Sequence, residues 1–152
     1  MDPMTFPIIS AALAGVLLIL QQVLMLSAGT VRARTGQGVG INGDVELERK
    51  VRRHGNLAEN AAIFLIGLTL LELLIGSGLT VEIFALVFLA ARLSHALGFS
   101  TLRGSHGKID GKPAPGGSIF VLLRAGGATL TALSGIALGG WILVAVWDQL
   151  PF

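Results

Sequence analysis

A chain of 152 residues that is 53% hydrophobic and 13% charged, with a mean hydropathy of +0.77, is too apolar for a water-soluble domain, in which roughly a quarter of residues are charged. It contains no cysteine, which excludes disulfides, zinc–thiolate sites and a cysteine nucleophile, and it contains no tyrosine. The pI near 9.7 comes from a net charge of only +2, so the bases follow membrane topology and not a nucleic-acid partner.

Four apolar runs reach the about 20 residues that a helix needs to cross a hydrocarbon core: Phe6–Gly29, Ala58–Ile75, Leu79–Phe99 and Ile119–Trp147. Backbone polar groups must be satisfied inside the bilayer, and separate apolar runs achieve this as helices. The sequence therefore predicts an all-α integral membrane protein, a four-helix bundle forming one domain over residues 1–152. The first run follows Asp2 with no basic residue and is too long for a signal-peptide core, so it reads as a retained span.

Between spans one and two, residues 35–43 are glycine-rich (TGQGVGING), with Asn42-Gly43 as a turn. Asp44, Glu46 and Glu48 then supply the acids that a helix N-terminus favours, so helix two is predicted from near Asp44 to Ile75. That length, nearly 50 Å at 1.5 Å per residue, carries its basic first turns out of the membrane. Between spans three and four, residues 104–117 (GSHGKIDGKPAPGG) predict a loop that is mobile or folded over the same face, without a phosphate-binding glycine pattern. In span four Gly127, Thr131, Gly135 and Gly139 form a small-residue ridge suited to close helix packing.

Orientation follows from lysine and arginine. Arg32, Arg34, Arg49, Lys50, Arg52 and Arg53 crowd the first connection; Arg103, Lys108 and Lys112 lie in the third; Arg92 and Arg124 sit in the span ends nearest them. The turn Gly76–Ser77–Gly78, the N-terminus and the tail after Trp147 carry none. By the positive-inside rule both long loops are cytoplasmic and both termini outside, with Trp141, Trp147 and Phe152 toward the outer interface. A short, plain chain without an organelle signal suits a bacterial inner membrane.

The stretch from Glu48 to Asn60 holds the polar groups that need explaining. Arg49, Arg52, Asn56 and Glu59 recur at steps of three, four and three and share one helix face. Ala61-Ala-Ile-Phe-Leu-Ile follows at once, so this stripe runs into the hydrocarbon, where a carboxylate normally faces the bundle interior with a partner. Helix three offers Arg92, His95 and Phe99 at the same depth, and Arg124 adds a cation from helix four. Arg53 and Lys50 read as structural or snorkelling bases, with Lys50 solvated. Several cations with one carboxylate, an amide and an imidazole suit a small zwitterion carrying more negative than positive charge, its carboxylates held by arginine. Three histidines, His54, His95 and His106, have no HxxH or HExxH spacing and offer no metal set. Glu72 and Glu82 near the outer ends read as structural or interfacial, and mid-span Gln21 and Gln22 need partners.

The pattern E-R-x-x-R-x-x-x-N-x-x-E, here Glu48, Arg49, Arg52, Asn56 and Glu59, resembles the second-helix signature of the MAPEG family, the membrane-associated proteins in eicosanoid and glutathione metabolism. Ala91 through Phe99 (A-R-x-x-H-x-x-G-F) is similar to that family's third-helix segment, and Arg124 stands where an arginine is common in helix four. The resemblance spans the chain in layout, loop lengths and charge placement. It implies a homotrimer binding glutathione as co-substrate between subunits, in a site open to the cytoplasm. It further implies that Arg52, Asn56 and Glu59 contact glutathione, Glu59 toward its amino group, with Arg32 or Arg34 and His54 as secondary contacts and Arg92 and His95 completing the wall. The tyrosines that eukaryotic members place in helix three are matched here by His95 and Phe99. His106 matches their thiolate-activating arginine, and Arg103 follows Phe99 by one turn. Arg103 is therefore the first candidate for a catalytic cation and His106 the alternative.

On this reading the protein transfers glutathione to, or reduces peroxides with it among, small hydrophobic electrophiles that arrive from membrane lipid. The alternative is a non-catalytic membrane binding or lipid-interacting protein that retains the anionic-ligand site. A transporter fits less well, because helix breakers do not recur in paired halves.

Overall fold

A computed structural model describes residues 6–105, 107–109, 111–114 and 118–150. Four helices, α1 (Ile8–Thr35), α2 (Val45–Ile75), α3 (Leu79–Gly98) and α4 (Ile119–Val146), are each long and apolar enough to span a membrane. A 3₁₀ turn at Leu102–Gly104 and a two-stranded antiparallel hairpin, β1 (Lys108–Ile109) with β2 (Lys112–Pro113), connect α3 to α4. A second 3₁₀ turn, Trp147–Gln149, follows α4.

Helix ends obey local chemistry. The first helix continues beyond the apolar run, carrying Arg32 and Arg34 in its last turn and stopping at left-handed Gly36. Arg32 Nη1 then donates to the carbonyls of Gln37, Gly38 and Gly40, tying the glycine-rich connection to its own helix. Asp44 caps α2, its Oδ1 accepting from the Leu47 amide at 3.0 Å, as the acidic run predicts.

The N-terminus of α1 has no cap of its own, and α2 provides one. Glu72, 1% exposed, accepts from the amides of Ile9 and Ser10 at 3.0 and 2.8 Å and from the Ser10 and Ser77 hydroxyls at 2.6 Å each. A carboxylate at this depth is tolerable because four donors surround it, and it satisfies orphan amides where the helix dipole favours a negative charge. Glu72 thus takes the structural role.

The core is the set of faces the helices turn inward: Leu13, Leu17 and Leu24 of α1, Leu57, Phe64, Leu68 and Leu71 of α2, Phe88 of α3 and Leu138 of α4. Phe64 and Phe88 stack with ring centroids 3.7 Å apart. The outer surface is equally apolar: Ile19, Ile136 and Val144 are 70%, 73% and 74% exposed. An apolar exterior fits lipid as solvent and leaves polar groups to be satisfied internally.

The small-residue ridge of α4 divides in two. At Gly127 the helices touch: a Cβ there meets Ala91 O and His95 N at 2.6 Å. Gly98 faces the Phe120 and Arg124 backbone with the same lack of room. Gly135 and Gly139 instead meet nothing and line an open apolar groove with Gly67, Leu70 and Ile142. The α3–α4 seam therefore depends on the first half of the ridge. Gly127→Ala is expected to destabilise the protein by about 1–3 kcal/mol, read as a lower unfolding midpoint in detergent. Gly126→Ala, with open space around its Cα, is expected to be neutral or better; equal effects would contradict the seam.

Candidate functional site

The end of the bundle that carries the bases holds a polar cleft. Its deeper part, a cavity of about 430 Å³, is lined by Val51, Arg52, Gly55, Asn56 and Glu59 of α2, His95 and Phe99 at the end of α3, and Arg124 of α4. An adjoining cavity of about 290 Å³ shares Arg52, Phe99 and Arg124, and adds Glu48, Arg49, Ser105, Lys108 and Ile109. The hairpin thus folds over the mouth, one of the two states the loop composition allows.

Each wall has a local cause. Arg52, Asn56 and Glu59 project together because steps of four and three stay on one α-helical face. Gly55 leaves room beside them: a Cβ there stands 3.9 Å from Glu59 Oε1. Arg124 lies over the Phe99 ring, its guanidinium carbon 3.8 Å from the ring centroid, and donates to Gly104 O at 3.2 Å. A cation over an aromatic face holds its plane and keeps its outer N–H groups available. Phe99 in turn meets His95 edge to face, with centroids 6.0 Å apart. His95 is 4% exposed and its Nδ1 has no partner among the described residues.

Arg92 does not enter the cleft. It is 1% exposed and donates from Nη2 to Asn56 Oδ1 at 2.6 Å and from Nη1 to Thr131 Oγ1 at 3.0 Å. No carboxylate pairs with it among the described residues. Arg49 reaches the rim but spends one nitrogen on helix capping, Nη1 donating to the carbonyls of Phe99 and Ser100 at 3.0 and 2.6 Å. Such a cation satisfies the orphan carbonyls at the end of α3.

Among the residues that the sequence nominates, Arg52, Asn56, Glu59, His95 and Phe99 come together, with Arg49 at the rim. Arg32 braces its own loop, and Arg34 pairs with Glu46 at 3.2 Å. His54 meets the side-chain amide of Gln21 at 2.7 Å between α1 and α2, which gives Gln21 its partner. Arg103 is exposed and outside the cavity lining, although its carbonyl accepts from Ser118. His106 lies outside the described residues.

Two expectations are corrected. Lys50 is not solvated: it pairs with Glu46 at 3.1 Å with 20% of its side chain exposed. Glu59 does not face the bundle interior but is exposed on the flank of the chain. The face that α2 buries runs through Leu57 and Phe64; Asn56, next to Leu57, reaches Arg92 of α3, whereas Glu59 is exposed. Arg124 and Thr131 gain roles that spacing alone concealed. Arg124 is the only base of α4, and that isolation was its sequence signal; Thr131 reads as a small packing residue until its partner is seen.

The family comparison decides the assignment: residues 10–144 match the model of the MAPEG family. The chain belongs to the MAPEG family. It is accordingly an integral membrane protein of the family active in glutathione and eicosanoid metabolism. No curated protein and no solved structure matches it. In this MAPEG protein the second-helix signature is the wall that carries Arg52, Asn56 and Glu59 into the cleft.

Proposed function

We propose that the cleft binds glutathione as co-substrate and presents its sulfur as a thiolate to small hydrophobic electrophiles, as a membrane transferase or glutathione-dependent peroxidase. The observation that carries this reading is the convergence of Arg52, Asn56, Glu59 and Arg124 on one cavity of about 430 Å³ at the basic end. Glutathione has two carboxylates and one ammonium group, and the cleft offers cations in excess over a single acid at its depth. Arginine holds carboxylates through paired N–H groups, and Glu59 supplies the acceptor for the ammonium.

In the transfer step the thiolate forms a carbon–sulfur bond as the electrophile's leaving group departs with its electron pair. A cation beside the sulfur favours the thiolate, which is the nucleophile. Arg124 is the residue for that task, because it lines both cavities and is held by Phe99.

The exposed flank at Glu59 belongs to a homotrimer in this reading. A carboxylate followed at once by Ala61–Ile66 is costly against lipid, and a neighbouring copy that covers it closes the site. The one-sided bases support a topology, by the positive-inside rule, in which the cleft and both long connections face the cytoplasm of a bacterial inner membrane and both termini lie outside.

The test is ultraviolet difference absorbance with calorimetry on purified protein. Adding glutathione to the parent is expected to give a thiolate band. Glu59→Gln should weaken binding about tenfold or more, the loss of a charge-assisted bond, whereas Glu46→Gln removes the same charge away from the cleft and should not. Arg124→Leu should move the band to higher pH, and Arg103→Leu should titrate like the parent. Binding without any thiolate band would favour the non-catalytic alternative, and no binding would remove the proposal.

A further inference from the structure

The chain of contacts behind the cleft has a direction that its chemistry forces. The Thr131 hydroxyl has one hydrogen and gives it to Gly127 O at 2.8 Å, so toward Arg92 its oxygen accepts. A guanidinium can only donate. The Asn56 atom 2.6 Å from Arg92 Nη2 is therefore the carbonyl oxygen, and the amide orientation, which geometry alone often leaves open, is fixed by its partner. The Asn56 NH₂ group is left over, and Asn56 is a lining residue of the cleft. No protein acceptor takes that NH₂ among the described residues, whereas Asn60, one turn on, donates to Asn56 O.

Arg92 contributes charge as well as direction. It is fully buried, its Nε has no partner among the described residues, and its two contacts there are neutral oxygens. A buried cation with no carboxylate beside it polarises the amide that it holds, and hydrogen bonds in such chains strengthen one another.

We infer that Arg92 is a positioning residue, anchored by Thr131, that acts through Asn56: it turns the Asn56 amide so that a polarised N–H donor faces the cleft, and so selects a hydrogen-bond acceptor, a carboxylate or carbonyl, at that point of the ligand. Arg92 itself touches no ligand. This rests on the glutathione reading only for the identity of the molecule, because the orientation of Asn56 is a property of the free protein.

The experiment uses full-length protein labelled with ¹⁵N-asparagine in lipid nanodiscs. The asparagines are Asn42, Asn56 and Asn60, so the side-chain amide spectrum is sparse, and Asn56→Gln assigns the signal. The parent is expected to show one ordered Asn56 NH₂ pair that shifts on adding glutathione. Thr131→Val, close in shape but unable to accept from Arg92, and Arg92→Lys, which keeps the charge but cannot bridge two acceptors, should each lower the order of that pair without glutathione. Each should also weaken glutathione binding about tenfold. Asn56→Asp, which sets an acceptor where the donor stood, should weaken it about a hundredfold or more while the thermal midpoint holds, because its carboxylate can pair with Arg92. An Asn56 signal equally ordered in the parent, Thr131→Val and Arg92→Lys would overturn the inference, as would unchanged affinity in all three variants. A parent that fails to bind glutathione but shows the loss of order in both variants would sink the ligand and leave the positioning intact.

Discussion

A guanidinium at the centre of a lipid-facing bundle is the constraint on which the rest depends. Arg92 is 1% exposed, and a charge in a membrane helix costs up to about 2.5–3.5 kcal/mol on the milder insertion scales, the value at the helix centre. With no counter-carboxylate among the described residues, the chain offsets this by bringing one oxygen from α2 and one from α4 to α3. Both contacts must persist together, and that fixes the rotation of three helices about their axes. Gly127 is part of the same solution, since only a residue without a side chain lets α4 approach α3 closely enough for Thr131, one turn on, to reach Arg92.

Once those rotations are fixed, the cleft follows. With Asn56 turned to Arg92, the helical steps place Arg52 and Glu59 on the flank beside it, and the end of α3 sets His95 and Phe99 opposite. The bases then separate by what they can reach. Arg49 meets the backbone carbonyls that end α3 and serves as a cap, and Arg32 meets those of the connection after α1; Arg34 and Lys50 meet Glu46; Arg52 meets only Glu48 among the described residues, with 70% of its side chain exposed. Exposed pairs of that kind are worth at most about 1 kcal/mol, so Arg52 can exchange Glu48 for a ligand at little cost. The opposite end is organised by the reverse charge, with Glu72 gathering amides and hydroxyls where Arg49 serves carbonyls.

The four spans, the start of α2 at Asp44 and the face carrying Arg52, Asn56 and Glu59 were legible in the sequence, because hydrophobic run length, capping and helical periodicity are local properties. The end of α1 was not, because its last turn is polar and continues for want of a stop before Gly36. Periodicity also does not say which edge of a polar stripe points inward. Asn56 and Glu59 lie one turn apart, and only the packing of Leu57 against the core separates the residue that meets Arg92 from the one that stays on the flank. Arg92 was expected in the wall of the site and lies behind the lining of the cleft, and Arg124 counted merely as an additional cation until its stacking on Phe99 placed it over both cavities. Roles set by contacts between distant residues leave no trace in spacing.

The central claim, that the basic cleft is the ligand site and Arg92 its support, is tested most directly by an experimental structure of the protein saturated with glutathione. The account predicts ligand density bounded by Arg52, Asn56, Glu59, Phe99 and Arg124, with an acceptor atom against the Asn56 nitrogen and Arg92 out of contact. Glutathione bound elsewhere on the bundle, or bonded to Arg92 itself with Asn56 turned away, would contradict it.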